Sequence, residues 1–173
     1  MALAPKFPNI IESDEDLVLI SLANPGYRFQ RQENGTIIVS PTSTGGGAKS
    51  GEAYGQLRDF SKRHGGKAFD SNAGFAIGPH MRVFAPDGSW VSQARIDALT
   101  GTERSGFWPI GPDVVIEVKS KTDNFSQTVA KCSLFIERGS SYAVAIDPAT
   151  REVVQLGVAP AELTLDFDAI IDA

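Results

Sequence analysis

The chain has one cysteine, two histidines and no excess of positive charge. Nor does it hold any apolar run near the roughly 20 residues of a membrane span. Each shortage excludes something. A single cysteine, Cys132, cannot form a disulfide within the chain and fits a reducing compartment. With no cysteine cluster and only His64 and His80, a zinc site of the finger type lacks ligands. The N-terminus lacks the basic, then apolar, then small-residue order of a signal peptide. Together these set the expectation of a cytoplasmic protein with no membrane partner. Lys and Arg number 16 against 21 Asp and Glu, a formal net charge of −5. That argues against a protein that coats nucleic acid without specificity. A local basic channel stays open, because acidic metal ligands themselves lower the net charge.

What is present reads as one globular domain over residues 1–173, with 42% hydrophobic and 21% charged residues and 17 glycines and 10 prolines for loops. Ser13-Asp14-Glu15-Asp16 resembles a capping box before a short helix stopped at Asn24-Pro25-Gly26. Asn34-Gly35, flanked by Tyr27 to Glu33 and Thr36 to Ser40, predicts an N-terminal β-hairpin. Pro41 to Ser50, with Gly45-Gly46-Gly47, reads as a loop without a phosphate-binding P-loop pattern. A helix over Gly51 to His64, ended by Gly65-Gly66, is followed by short strands near Lys67–Asp70, Gly74–Ile77, Met81–Phe84 and Ser89–Ser92. Arg95 to Thr100 reads as a helical turn and Gly101 to Gly111 as a loop. Asn124 to Arg138 is a second long helix, and Tyr142–Ile146 with Glu152–Leu156 a second hairpin. This order predicts an α/β architecture, a mixed β-sheet flanked by helices.

The stretch Val114-Val115-Ile116-Glu117-Val118-Lys119 is the centre of the pattern, a strand with β-branched aliphatics at all but two positions. Side chains alternate along a strand, so Val115, Glu117 and Lys119 share a face. Glu117 therefore enters a face where valine would be the cheap choice, and a buried carboxylate needs a partner. Either Lys119 or a metal ion meets that need; in the plainer reading the two form a structural ion pair at a strand end.

Pro112-Asp113 with Glu117-Val118-Lys119 outlines the P-D…E-x-K signature of metal-dependent nucleases, but Asp113 is the wrong aspartate. Four strand residues span about 13 Å, whereas carboxylates sharing a hard cation place oxygens about 2.0–2.6 Å from it. Pro86-Asp87, at the mouth of another strand, supplies the better partner. The plainer reading of Asp87 is a β-turn residue before Gly88.

The likeness extends over nearly the whole chain. It takes in Asn24-Pro25 before Tyr27-Arg28-Phe29, Asn34-Gly35 before Ile37-Ile38-Val39-Ser40-Pro41, Gly51-Glu52-Ala53, and Phe69-Asp70-Ser71-Asn72-Ala73-Gly74-Phe75. It continues through Pro86-Asp87-Gly88-Ser89-Trp90-Val91, the Pro112 to Ser120 stretch, Lys131, and Ile146-Asp147-Pro148-Ala149-Thr150-Arg151. In these features the chain resembles the Uma2 family of restriction endonuclease-like proteins, a branch of the PD-(D/E)XK nuclease superfamily. The resemblance implies a restriction endonuclease-like fold and a Mg²⁺- or Mn²⁺-dependent endonuclease hydrolysing phosphodiester bonds in DNA. By position, Asp87 and Glu117 would be metal-binding carboxylates. Lys119 would position or activate the attacking water. Glu52, on the first long helix, would complete the metal shell. Many relatives lack a lysine at position 119, and Gly88 stands where a β-branched or small residue is usual, which predicts a looser strand edge. The alternative is a catalytically inactive nuclease fold that binds DNA or a protein partner.

Other residues invite blander expectations. Lys131 has two readings, contact with a phosphate or the active site and, more plainly, a solvated helical lysine, with Gln127 one turn before it on the same face. His64 and His80 read as structural or exposed, Trp90 and Trp108 as core or interface, and Lys62, Arg63 and Lys67 as a solvated helix end, with a phosphate-backbone contact as the alternative. The apolar tail, Leu163, Leu165, Phe167, Ile170 and Ile171, predicts packing across a two-fold homodimer interface.

Overall fold

The computed structural model describes residues 16, 20, 28–31, 37–40, 43–77, 83–121 and 123–173. Its frame is a five-stranded mixed sheet. In spatial order the strands are β3 (Lys67–Asp70), β6 (Gly88–Val91), β7 (Val114–Val118), β8 (Tyr142–Asp147) and β9 (Glu152–Gly157). β7 and β8 run parallel, and the other three pairings are antiparallel. Two small antiparallel pairs complete the strands, β1 (Arg28–Arg31) with β2 (Ile37–Ser40) and β4 (Phe75–Ala76) with β5 (Val83–Phe84). The β1–β2 pair bears out the N-terminal hairpin; its Asn34-Gly35 turn and the Ser13–Asp16 capping box lie outside the described residues, apart from helical Asp16.

Side-chain alternation divides the core into two layers. On one face Val114, Ile116, Val144 and Ile146 meet Ala53, Leu57 and Phe60 of α1 (Thr44–His64), and Ile170 and Ile171 of α5 (Phe167–Asp172). On the other, Val91, Val115, Ala143 and Ala145 meet Cys132 and Phe135 of α4 (Phe125–Glu137). The parallel β7–β8 step needs a crossover, and α4 provides it.

Several boundaries differ from the sequence reading. α1 starts at Thr44, so the triple glycine lies inside its first turn. The Ser43 side chain caps it by accepting from Gly46 N. Ser50 is buried there, and Lys49 Nζ donates to the carbonyls of Ile171 and Ala173, so tertiary contacts outweigh the glycines' poor helix propensity. The segment after Val91 holds two short helices, α2 (Gln93–Ala98) and α3 (Gly101–Arg104). The second lies in the expected loop and is held by a Thr100–Glu103 capping box. Gly65, at φ 79°, ends α1 as expected.

The apolar tail packs within the chain: Leu163, Leu165 and Phe167 lie against the α1 layer beside buried Ile170 and Ile171. Trp90 is core, its indole N–H donating to the Gly65 carbonyl at 3.0 Å. No described helix is long and apolar enough to cross a membrane.

Candidate active site

Two register relations build the site. β6 and β7 pair Gly88 with Ile116 and Ser89 with Val115. One step further, Asp87 comes opposite Glu117, and directly opposed antiparallel residues hold their Cβ atoms about 5 Å apart on one face. That face is the α4 layer. Asp87 Oδ2 accepts from Val118 N at 2.9 Å, which fixes the carboxylate beside the residue after Glu117. On the other side, parallel β8 pairs Val118 with Ile146, and the Lys119 N–H donates to the Ile146 carbonyl at 2.8 Å. One step on, Lys119 comes beside Asp147, and their side chains meet at 3.5 Å.

Glu117 is only 5% exposed at the end of the central strand. Its close partner is Lys131 of α4, whose Nζ lies 2.7 Å from Glu117 Oε1. The same ammonium donates to the Ala85 carbonyl at 3.1 Å, just before Pro86-Asp87. Lys131 is therefore no solvated lysine. A signal was available: Thr128, Cys132 and Phe135 are the buried stripe of α4, and Lys131 fits it at i, i+3, i+4 and i+7. Gln127, expected on the same face, is exposed.

Cys132 lies under the cluster. Burial pushes its thiol pKa up; the negative charges of Glu117 and Asp87 add to the effect, and Lys131 opposes it. All three charged groups thus act on one point beneath the sheet end.

Asp87, Glu117 and Lys119 are brought to one end and one face of the sheet. Glu52 does not join them. It lies on α1, on the opposite layer, accepts from Gln56 Nε2 at 3.0 Å, and lines a groove with Arg151, Asp166 and Asp168. Ala53 is the α1 residue turned to the sheet, which leaves its neighbour Glu52 facing the groove toward α5. Asp113 is taken up in local contacts: Oδ2 accepts from Ser92 N at 2.8 Å and Oδ1 lies 3.5 Å from Arg95. Gly88 does not loosen a strand edge. All four β6 residues are buried, and a Cβ at Gly88 would lie 3.3 Å from the Ala53 carbonyl carbon, so α1 crosses closely here. His64 is exposed and stacks on Phe60 at 4.4 Å; His80 lies outside the described residues.

Among the described residues no three His, Cys, Asp or Glu side chains stand together as a ready metal cluster. Two carboxylates still fit a hard divalent ion in kind. Mg²⁺ is commonly held by one or two carboxylates with water filling the remaining positions. The ammonium on Glu117 Oε1 shows that a cation is accommodated at this carboxylate.

A crystal structure described as that of "a putative nuclease belonging to DUF820 from Anabaena variabilis ATCC 29413" is similar to this chain. The two share 20% identity, the match covers 83% of this chain and 89% of that one, and the TM-score is 0.63. At that identity the likeness is one of fold. A search among curated proteins gave no match. The Uma2 family, described as "Putative restriction endonuclease", matches residues 14–157. That span holds the five-stranded sheet, α1, α4 and all of Asp87, Glu117, Lys119 and Lys131, and on this match the chain belongs to the Uma2 family.

Proposed function

We propose that the chain is a Mg²⁺- or Mn²⁺-dependent endonuclease that hydrolyses phosphodiester bonds in DNA, with Asp87 and Glu117 holding the metal. The observation that carries this reading is Glu117, a carboxylate 5% exposed, set by the sheet register across from Asp87 and paired with Lys131 at 2.7 Å. A fold selected for stability alone would place an aliphatic residue there, because burying an ion pair costs more desolvation than it commonly returns. The Uma2 description and the fold shared with the Anabaena protein support a nuclease, and the choice of DNA as substrate rests on that description.

When bound, the metal supplies positive charge for the phosphoryl oxygens and a water of lowered pKa. The protein's own part is to orient. The Val118 N–H holds the Asp87 carboxylate, the sheet register sets Glu117 across from it, and Asp147 holds Lys119 at the strand end. From there Lys119 serves as a fixed positive charge for the attacking water and for developing negative charge. Cutting both strands calls for two such centres, hence a two-fold dimer formed through a surface other than the tail. The free, buried Cys132 fits a cytoplasmic location.

The test is calorimetric titration of Mg²⁺ and Mn²⁺ into wild type and Glu117→Ala, with plasmid nicking by the same preparations. Wild type is expected to bind and nick, and the variant to lose both. If wild type binds no metal, the nuclease reading fails and the binding module replaces it.

A further inference from the structure

The two lysines of the centre are held differently. Lys119 extends from the strand that carries Glu117, yet it is turned to Asp147 at 3.5 Å. Asp147 is itself fixed, accepting from Ala149 N at 2.9 Å through the same oxygen. Lys131 comes from a different element and lies 2.7 Å from Glu117 Oε1. Its ammonium therefore stands on the carboxylate that the reading above assigns to the metal.

Two like charges repel at contact distance, and most strongly where water is scarce. An ammonium and a divalent ion cannot both hold Glu117 Oε1 closely. α4 is not free to move away, since Thr128, Cys132 and Phe135 are buried against the sheet. The Lys131 side chain has to yield instead. The Ala85 carbonyl at 3.1 Å gives it a second anchor, so it can release Glu117 and stay beside the centre.

We infer that Lys131 is a built-in competitor for the metal position. It closes Glu117 as an ion pair in the metal-free protein and is displaced when a divalent ion binds. This rests on the metal-dependent reading above, and a purely structural ion pair is the rival explanation.

The experiment titrates Mn²⁺ alone into wild type, Lys131→Met, Lys131→Arg and Lys119→Met by calorimetry, with far-ultraviolet circular dichroism as the check on folding. Lys131→Met should bind Mn²⁺ at least tenfold more tightly than wild type. Lys131→Arg should stay within threefold of it, and Lys119→Met should change less than Lys131→Met. Wild-type or weaker affinity in a folded Lys131→Met overturns the inference, and the metal-dependent reading stands as long as wild type binds. Absence of binding by all four proteins overturns both. If Lys131→Met is unfolded without metal, recovery of its spectrum on adding Mn²⁺ supports displacement, and failure to recover at saturating Mn²⁺ counts against it.

Discussion

The two layers of the sheet carry ion pairs of opposite character. On the α4 layer, Lys131 and Glu117 meet at 2.7 Å with side chains 22% and 7% exposed. On the other, Arg151 bridges Asp168 and Asp172 at 2.6 Å each, with all three side chains in water. Distances alone would rank the exposed clamp first. Solvent reverses the order, because an exposed pair is screened while a buried one leaves an uncompensated charge when broken. The difference teaches where to look for function. Residues that tie the tail to β9 lie where charge is cheap, and residues that bring carboxylates together lie where charge is costly.

Breaking the buried pair is the strongest challenge to that contrast. Lys131→Met should lower the stability of the metal-free protein by about 3–5 kcal/mol, since Glu117 stays buried without its partner. Denaturant midpoints measure this, and Glu117→Gln in the same chain should recover most of the loss. A cost near that of an exposed pair would erase the distinction between the layers.

An intermediate case sharpens it. Asp113 is half-buried and accepts from Ser92 N while facing Arg95. Asp113→Ala should cost about 1–3 kcal/mol for the abandoned N–H and leave Mn²⁺ affinity unchanged by calorimetry. A loss of affinity would return Asp113 to the candidate ligands.

The smallest effect belongs to Arg151→Gln. The Asp172 carboxyl is held below its ordinary pKa, chiefly by its hydrogen bond from Arg151. A lowered carboxyl pKa stabilises the fold above the ordinary aspartate range, and the gain is lost as pH falls through the lowered value. Wild type and Arg151→Gln should therefore differ slightly in Tm at neutral pH and converge in acid. High salt should close the same gap at neutral pH.

The central strand was legible because its signal is local: alternation along Val114 to Lys119 fixed the faces, and strand rise eliminated Asp113 as the partner of Glu117. Asp87 was reachable through the repeated Pro-Asp. The Asp147 contact of Lys119 was not, because it depends on which strand lies beside β7 and in what register. The start of α1 was hidden by three glycines whose helical state depends on contacts with the chain's other end. For Lys131, charge alone favours the solvated reading over contact with the site. Its spacing from Thr128, Cys132 and Phe135 placed it inward, but a lysine on an inward stripe makes sense only once Glu117 is seen across from it. Glu52 shows the converse: position along a helix was readable, but not the direction its carboxylate takes.

Cys132, fully buried beneath Glu117 and Lys131, has a thiol pushed away from its reactive anion by burial and by neighbouring carboxylates. A cysteine so placed is chemically silent while α4 rests on the sheet. The lone thiol therefore acts as a clock: the pace at which an alkylating reagent reaches it counts the moments when the floor beneath the carboxylates lifts.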